Sequence, residues 1–222
     1  MPTAIAIDGP AGAGKSTIAR YAAKELGFIY VDTGALYRAI GLSAQRRGYA
    51  ADDKAVIIPM LDEIKVELAF NDAHEQIVLL DGEDVSGMIR TPEISMMASA
   101  VSAIPEVRAY LLELQRDMAR HNNVIMDGRD IGTVVLPDAQ IKIFLSASPE
   151  CRAKRRYDEL IEKGMDVKYE DILSDVVARD YADSHREIAP LKPADDAVMV
   201  DTSGEDLETS VNKLVSLMRS RL

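Results

Sequence analysis

The chain has 222 residues, 47% of them apolar, enough for one α/β domain with a sizeable core and one small insert. Its formal net charge of −11 repels a phosphate backbone, which argues against general nucleic-acid binding; any anion site must come from a local cluster of Arg, Lys and backbone N–H groups. The one cysteine, Cys151, allows no internal disulfide and fits a reducing cytoplasm, and the apolar run at 3–7 is too short for a signal peptide or a membrane span.

In chain order, an apolar strand is expected at 3–7, then a glycine-rich loop and a helix over 15–25. A strand at 28–31 precedes a helix over 34–47. Two short strand-like runs, 65–70 and 76–80, surround a polar Asn71-Asp72 turn and predict a hairpin in a small insert. Helical runs follow at 92–103 and 105–121, the latter with Pro105 where a first turn tolerates proline. Strands at 123–126 and 141–145 lead to a helix over 149–163, again with proline, Pro149, at its start. A late polar segment carries Arg179, Asp183 and Arg186; a strand at 197–200 and a helix over 206–221 close the chain. Strands alternating with helices predict a parallel, doubly wound sheet that binds ligands beyond its C-terminal strand ends.

Gly9-Pro10-Ala11-Gly12-Ala13-Gly14-Lys15-Ser16 matches G-x-x-x-x-G-K-[ST] at every fixed position and lies where the motif needs it, after a strand and opening a helix. Glycines there let backbone N–H groups curl around phosphate oxygens, and the helix adds its positive end. Lys15 is expected to reach the β- and γ-phosphates, the Ser16 hydroxyl to hold Mg²⁺, and Thr17 to contact the α-phosphate. Asp127, ending the apolar run 124–126, suits a strand-end carboxylate supporting Mg²⁺ directly or through water; the alternative is a helix-cap or turn Asp. A phosphate loop alone does not separate kinases from switches, motors or synthetases. A guanine-reading Asn-Lys-x-Asp is not found: the Asn212-Lys213 pair continues with Leu214-Val215.

Phosphoryl transfer between nucleotides needs positioning and cationic stabilisation more than covalent help, and arginine binds phosphate in a bidentate way. Arg38 and Arg129 follow expected strands, Arg179 and Arg186 flank Asp183, and Arg152, Arg155 and Arg156 cluster on one helix. Singly, each would also suit a surface salt bridge, and the last cluster a solvated helical face.

With these residues in view, the sequence resembles bacterial-type cytidylate kinases within the nucleoside monophosphate kinases. The resemblance runs nearly the whole chain: Asp8-Gly9-Pro10 into the phosphate loop, Asp32-Thr33-Gly34-Ala35-Leu36-Tyr37-Arg38, Gly82-Glu83-Asp84-Val85-Ser86, the run from Asp127-Gly128-Arg129-Asp130 to Val135, and Arg179…Asp183…Arg186…Ala189-Pro190. It implies a five-stranded parallel P-loop sheet flanked by helices, in one kinase domain. The core would span 1–62 and 92–222, a monophosphate-side insert about 63–91, and a short mobile lid over ATP about 152–168. It implies ATP, with Mg²⁺, as donor and CMP or dCMP as acceptor, in a monomeric cytoplasmic protein without nucleic-acid or membrane partners. By position, Arg38 and Arg129 would bind the acceptor's phosphate, with Thr33 where relatives often have Ser. Ser99, Arg108 and Asp130 would read the cytosine. Arg179 would bind phosphate, Asp183 the ribose hydroxyls, and Arg186 would sit close by. Arg155 and Arg156 would close on ATP phosphates. Lys15, Arg38, Arg129 and Arg179 would neutralise charge during transfer; the acceptor oxygen is already anionic, so no general base is needed. Ala182 departs from the pattern, standing where some members place an arginine.

Overall fold

The computed structural model describes residues 2–71 and 75–222. Five parallel strands form the main sheet: β1 (Ala4–Asp8), β2 (Ile29–Asp32), β6 (Val124–Gly128), β7 (Ile141–Ser146) and β8 (Val198–Asp201), in the order β2-β6-β1-β7-β8. All of β1 is buried, in register with β6 from Ala4↔Val124 to Asp8↔Gly128 and with β7 from Ile5↔Ile141 to Asp8↔Phe144. A central parallel strand covered on both faces reads as an unbroken apolar run, which is how it appears in the sequence. The chain crosses from one side of β1 to the other between β6 and β7, so the phosphate loop leaves the sheet at a topological switch point.

The chain divides into two compact units. One comprises Thr3–Ile29 and Asn123–Leu222. In it α1 (Lys15–Leu26) buries Lys15, Ile18, Ala19, Ala22 and Ala23, the one-faced spacing of an amphipathic helix, and packs against β6 and α8 (Leu207–Arg219). Gly14 and Gly27, both in the left-handed region, bound α1. Helix α6 (Pro149–Glu162) packs on α7 (Tyr169–His185).

The other unit, Tyr30–Asn122, holds α2 (Thr33–Arg46), α3 (Lys54–Leu61), the strands β3 (Val66–Phe70), β4 (Gln76–Leu80) and β5 (Glu83–Asp84), then α4 (Pro92–Val101) and α5 (Pro105–His121). Leu36, Ile40, Ile57, Val66, Val78, Ile94 and Leu111 share one apolar core. The expected hairpin is present, pairing Val66↔Leu80 through Phe70↔Gln76, and Asn71 closes its near end by accepting from the Glu75 N–H at Oδ1. The other half of the expected turn, Asp72, lies outside the described residues. Segment 63–91 also contains β5, joined to β4 by Asp81-Gly82, both with positive φ as a two-residue hairpin turn requires.

The structure adds elements that the sequence reading does not contain. Helix α3 carries an interior proline, Pro59, and is capped by Asp53, whose carboxylate accepts from Ala55 N–H. The late polar segment is helix α7. Only Ile172 and Asp183 of its residues are buried, so it has no apolar stripe to betray it. Ile131–Val135 forms one π-helical turn directly after β6.

Candidate functional site

Within the first unit, the loop after β1 is built for close backbone approach. Gly9 has φ +149, and a Cβ there would stand 1.9 Å from the Leu145 carbonyl oxygen, so no side chain fits. Lys15 opens α1 almost fully buried, its Nζ donating to the Pro10 carbonyl at 2.8 Å. Burial, and then the charge of Arg129, push its ammonium down to about 7 against the pull of Asp127, Asp8 and Asp183.

Ser16 Oγ donates to Asp127 Oδ2 at 2.8 Å. Asp127 is a buried β6 residue and caps no helix. A hydroxyl and a carboxylate in contact beside the loop are the hard oxygens that Mg²⁺ takes, so the donor set fits that ion. Among the described residues no cluster of three or more His, Cys, Asp or Glu side chains could hold a metal alone, so phosphate oxygens would complete its shell.

Beyond β6 the charged groups interlock. Arg129 Nε donates to Asp183 Oδ2 at 2.8 Å, and Asp130 Oδ1 faces Arg186 Nη2 at 3.4 Å. Burial alone would push the Asp183 carboxyl up, but Arg129, with Arg179 and Arg186 close by, holds it below the usual carboxylate range. Arg186 also donates to the Ala189 carbonyl, and Ala189 sits at φ +50 before Pro190, a conformation that costs energy and clusters at functional sites. The structure thus gathers Arg129, Arg179 and Arg186 around the Asp183 carboxylate.

The helix-α6 cluster splits. Arg152 is no solvated surface residue. Only 2% exposed, it donates to Ala147 O at 2.9 Å and to Ala11 O of the phosphate loop at 3.0 Å, and pairs with Asp180. Arg155 donates to Thr202 O at 2.9 Å, and Arg156 reaches Glu159 at 3.4 Å.

In the second unit, Asp32 caps α2 by accepting from Ala35 N–H at 3.0 Å and pairs with Arg38 at 2.7 Å. Gly34 leaves room for that guanidinium, since a Cβ would stand 3.1 Å from Arg38 Nη1. Arg38 Nε is buried with no hydrogen-bond partner among the described residues. Thr33 is buried at the start of the same helix and Ser99 half-buried in α4. Arg108, 9% exposed, is likewise not a surface residue; its Nη1 donates to Ser102 O at 3.4 Å, and its Cζ lies 5.7 Å from the centre of the Tyr37 ring.

Two groups were missed from the sequence. The pairing of Arg152, already noted in its cluster, with Asp180 is one. The other is Asp8, whose carboxylate accepts from the N–H groups of Ile131 and Gly132, each at 2.7 Å. A carboxylate ending an otherwise apolar buried strand was the available signal. Burial pushes Asp8 up to about 6 from its ordinary 3.8 despite those two bonds. The native state then holds this proton more tightly than the unfolded chain. Stability from this group is complete below the ordinary value and is lost as pH rises through 6. Between about pH 7 and pH 4.5, wild type should gain about 2 kcal/mol relative to Asp8→Asn, read from denaturant unfolding of both. A flat difference would mean that the burial is not felt. A cavity of about 570 Å³, lined by Gly132, Thr133, Lys142, Pro190 and Lys192 among others, contains no residue expected from the sequence to act.

The family model for cytidylate kinase matches residues 5–220. A cytidylate kinase from Caldicellulosiruptor saccharolyticus is 51% identical over 213 residues, covering 96% of this chain and 94% of the relative. One from Carboxydothermus hydrogenoformans is 49% identical, covering 96% of each. One from Thermosipho melanesiensis is 45% identical over 221 residues, covering 100% of this chain and 99% of the relative. Among solved structures, an unliganded sugar kinase from Janibacter sp. aligns over 99% of this chain and 95% of its own, with TM-score 0.50 and 13% identity, a likeness of fold alone. Matched across nearly its whole length by both the family model and these relatives, the chain belongs to the cytidylate kinase family.

Proposed function

We propose that the protein transfers the γ-phosphoryl group of ATP to CMP or dCMP, giving ADP and CDP or dCDP. The observation that carries this most directly is the junction of β1 and β6: a phosphate-loop lysine, a Ser16–Asp127 oxygen pair, and Arg129, Arg179 and Arg186 around Asp183, all in one unit. The names borne by the relatives supply the acceptor.

In this reading the loop from Gly9 to Ser16, with Thr17, holds the ATP phosphates. Ser16 and Asp127, the latter directly or through water, hold Mg²⁺, which when bound offsets phosphate charge. Lys15 exchanges its bond to Pro10 O for the β- and γ-phosphates. Arg38, Arg129 and Arg179 take the acceptor's phosphate and the charge that shifts onto it as transfer proceeds in line. Arg38 brings its unspent Nε, and Thr33, at the start of the same helix, adds a hydroxyl. Asp183 serves the ribose hydroxyls, with Arg186 beside it. Asp130 and Ser99 accept from cytosine N4, and Arg108 donates to N3 or O2, the complement of that base. Segment 63–91 serves the acceptor nucleotide, and 152–168 acts as the lid, Arg155 and Arg156 leaving Thr202 O and Glu159 for ATP. The enzyme works as a cytoplasmic monomer on small nucleotides, with no nucleic-acid or membrane partner. No described helix is long and apolar enough to cross a membrane.

A coupled assay of ADP release across CMP, dCMP, UMP and AMP tests this. Release should depend on CMP or dCMP, with UMP and AMP weaker by about 10² or more. Slow hydrolysis indifferent to every acceptor would instead describe a nucleotide switch.

A further inference from the structure

The π-helical turn at Ile131–Val135 follows directly on Arg129 and Asp130, and its first amides have no partner within the turn. A cap ordinarily comes from the residue just before. Here that residue is Asp130, which makes no side-chain cap bond, its carboxylate facing Arg186 instead. The cap arrives from 123 residues away. Asp8 Oδ1 accepts from Ile131 N–H and Oδ2 from Gly132 N–H, each at 2.7 Å. The approach is tight: a Cβ on Gly132 would stand 3.2 Å from Lys142 Cδ and 3.4 Å from Asp8 Oδ2.

We infer that Asp8 is a positioning residue, whose carboxylate pins the start of this turn, and through it Arg129 and Asp130, to the strand end that launches the phosphate loop. The inference rests on the acceptor-binding roles proposed for those two residues. Its direction follows from what else holds each side. Asp8 is in register with Gly128 of β6 and Phe144 of β7, so the backbone leading to Gly9 keeps its place without the carboxylate. Residues 131 and 132 lie beyond the end of β6 and depend on it. Loss of the side chain therefore displaces the acceptor groups, and it reaches ATP only through the charge that Asp8 lends to Lys15, which bound phosphates replace.

Asp8→Asn keeps the shape but offers an oxygen to only one of the two amides. Its KM for CMP should rise about tenfold or more and its kcat fall, while its KM for ATP stays within about threefold of wild type. Hydrogen exchange at amides 131 and 132 should quicken about tenfold or more at one or both. Gly132→Ala leaves Asp8 in place, but its Cβ meets Lys142 Cδ and Cγ at 3.2 and 3.3 Å and Asp8 Oδ2 at 3.4 Å; if that shifts the 132 amide off Asp8, the same CMP-selective loss should follow even where Asp8→Asn folds poorly. Equal effects on the two substrates, or a loss confined to kcat in proportion to the unfolded fraction, would reduce Asp8 to a structural role and overturn the inference. A wild type without CMP-dependent ADP release overturns the acceptor reading itself; an active wild type with a substrate-neutral Asp8→Asn overturns only the role of Asp8.

Discussion

Lys15→Ala is expected to lower turnover by about 10²–10³-fold or more while the protein stays folded. The side chain is buried at the first position of α1, against the loop carbonyl of Pro10, and its neighbours include Arg129, a second cation. Asp183 pairs with Arg129, and Asp127 and Asp8 favour the ammonium, so carboxylates hold the two cations together. Burial has already pushed the Lys15 ammonium down to about 7. Bound phosphates favour its charged form and raise it, so the charge is strongest when the γ-phosphoryl group is in place. Removing a buried ammonium also removes a desolvation cost, and for that reason the fold should survive. The check is single-turnover kinetics with a thermal melt and CMP calorimetry on the same preparation. A folded variant keeping more than about a tenth of wild-type turnover would leave Lys15 without its part in transfer.

Asp130→Asn should narrow the CMP:UMP ratio of kcat/KM by about tenfold or more. Uracil carries an oxygen where cytosine carries its N4 amino group, and a proton on N3. Set against a carboxylate and an arginine, each mismatch leaves a polar group unpaired at roughly 1–3 kcal/mol. Asparagine can turn its amide nitrogen to a uracil oxygen or its oxygen to a cytosine amine, so it loses the preference. The structure favours this substitution over alanine. Asp130 and Arg186 are both buried and face one another at 3.4 Å, and asparagine keeps an oxygen toward that guanidinium where alanine leaves none. If Asp130 serves only to hold Arg186, CMP and UMP fall by the same factor. A ratio unchanged within about threefold, with circular dichroism showing a folded variant, would end the base-reading role.

Elements with strong local signals were legible. The strands at 3–7, 123–126 and 141–145 stand where β1, β6 and β7 lie, within two residues at each end, because buried parallel strands are largely apolar. Helices α2, α5, α6 and α8 match their apolar spacing. The Asp81-Gly82 pair was a readable hairpin signal for β5 that the sequence reading passed over. Helix α3 was hidden by Pro59, an interior residue that ordinarily breaks a helix. Helix α7 was hidden by its shallow burial, although it carries Arg179 and Asp183.

By itself, then, the sequence determined the phosphate loop, the succession of strands and helices, and the kinship with cytidylate kinases. Each of these is written in neighbouring residues, as a motif, a period of two or 3.6, or a run of matching positions. Who partners whom among the charges was decided only by the tertiary structure. Arg129 pairs with Asp183, 54 positions on; Arg152 meets Ala11, 141 positions back; Asp8 caps a turn 123 positions ahead. The strand order decides these contacts. Setting β6 and β7 on either side of β1 brings Asp8 beside Gly128 and Phe144, and no local pattern in the chain records which strand ends become neighbours.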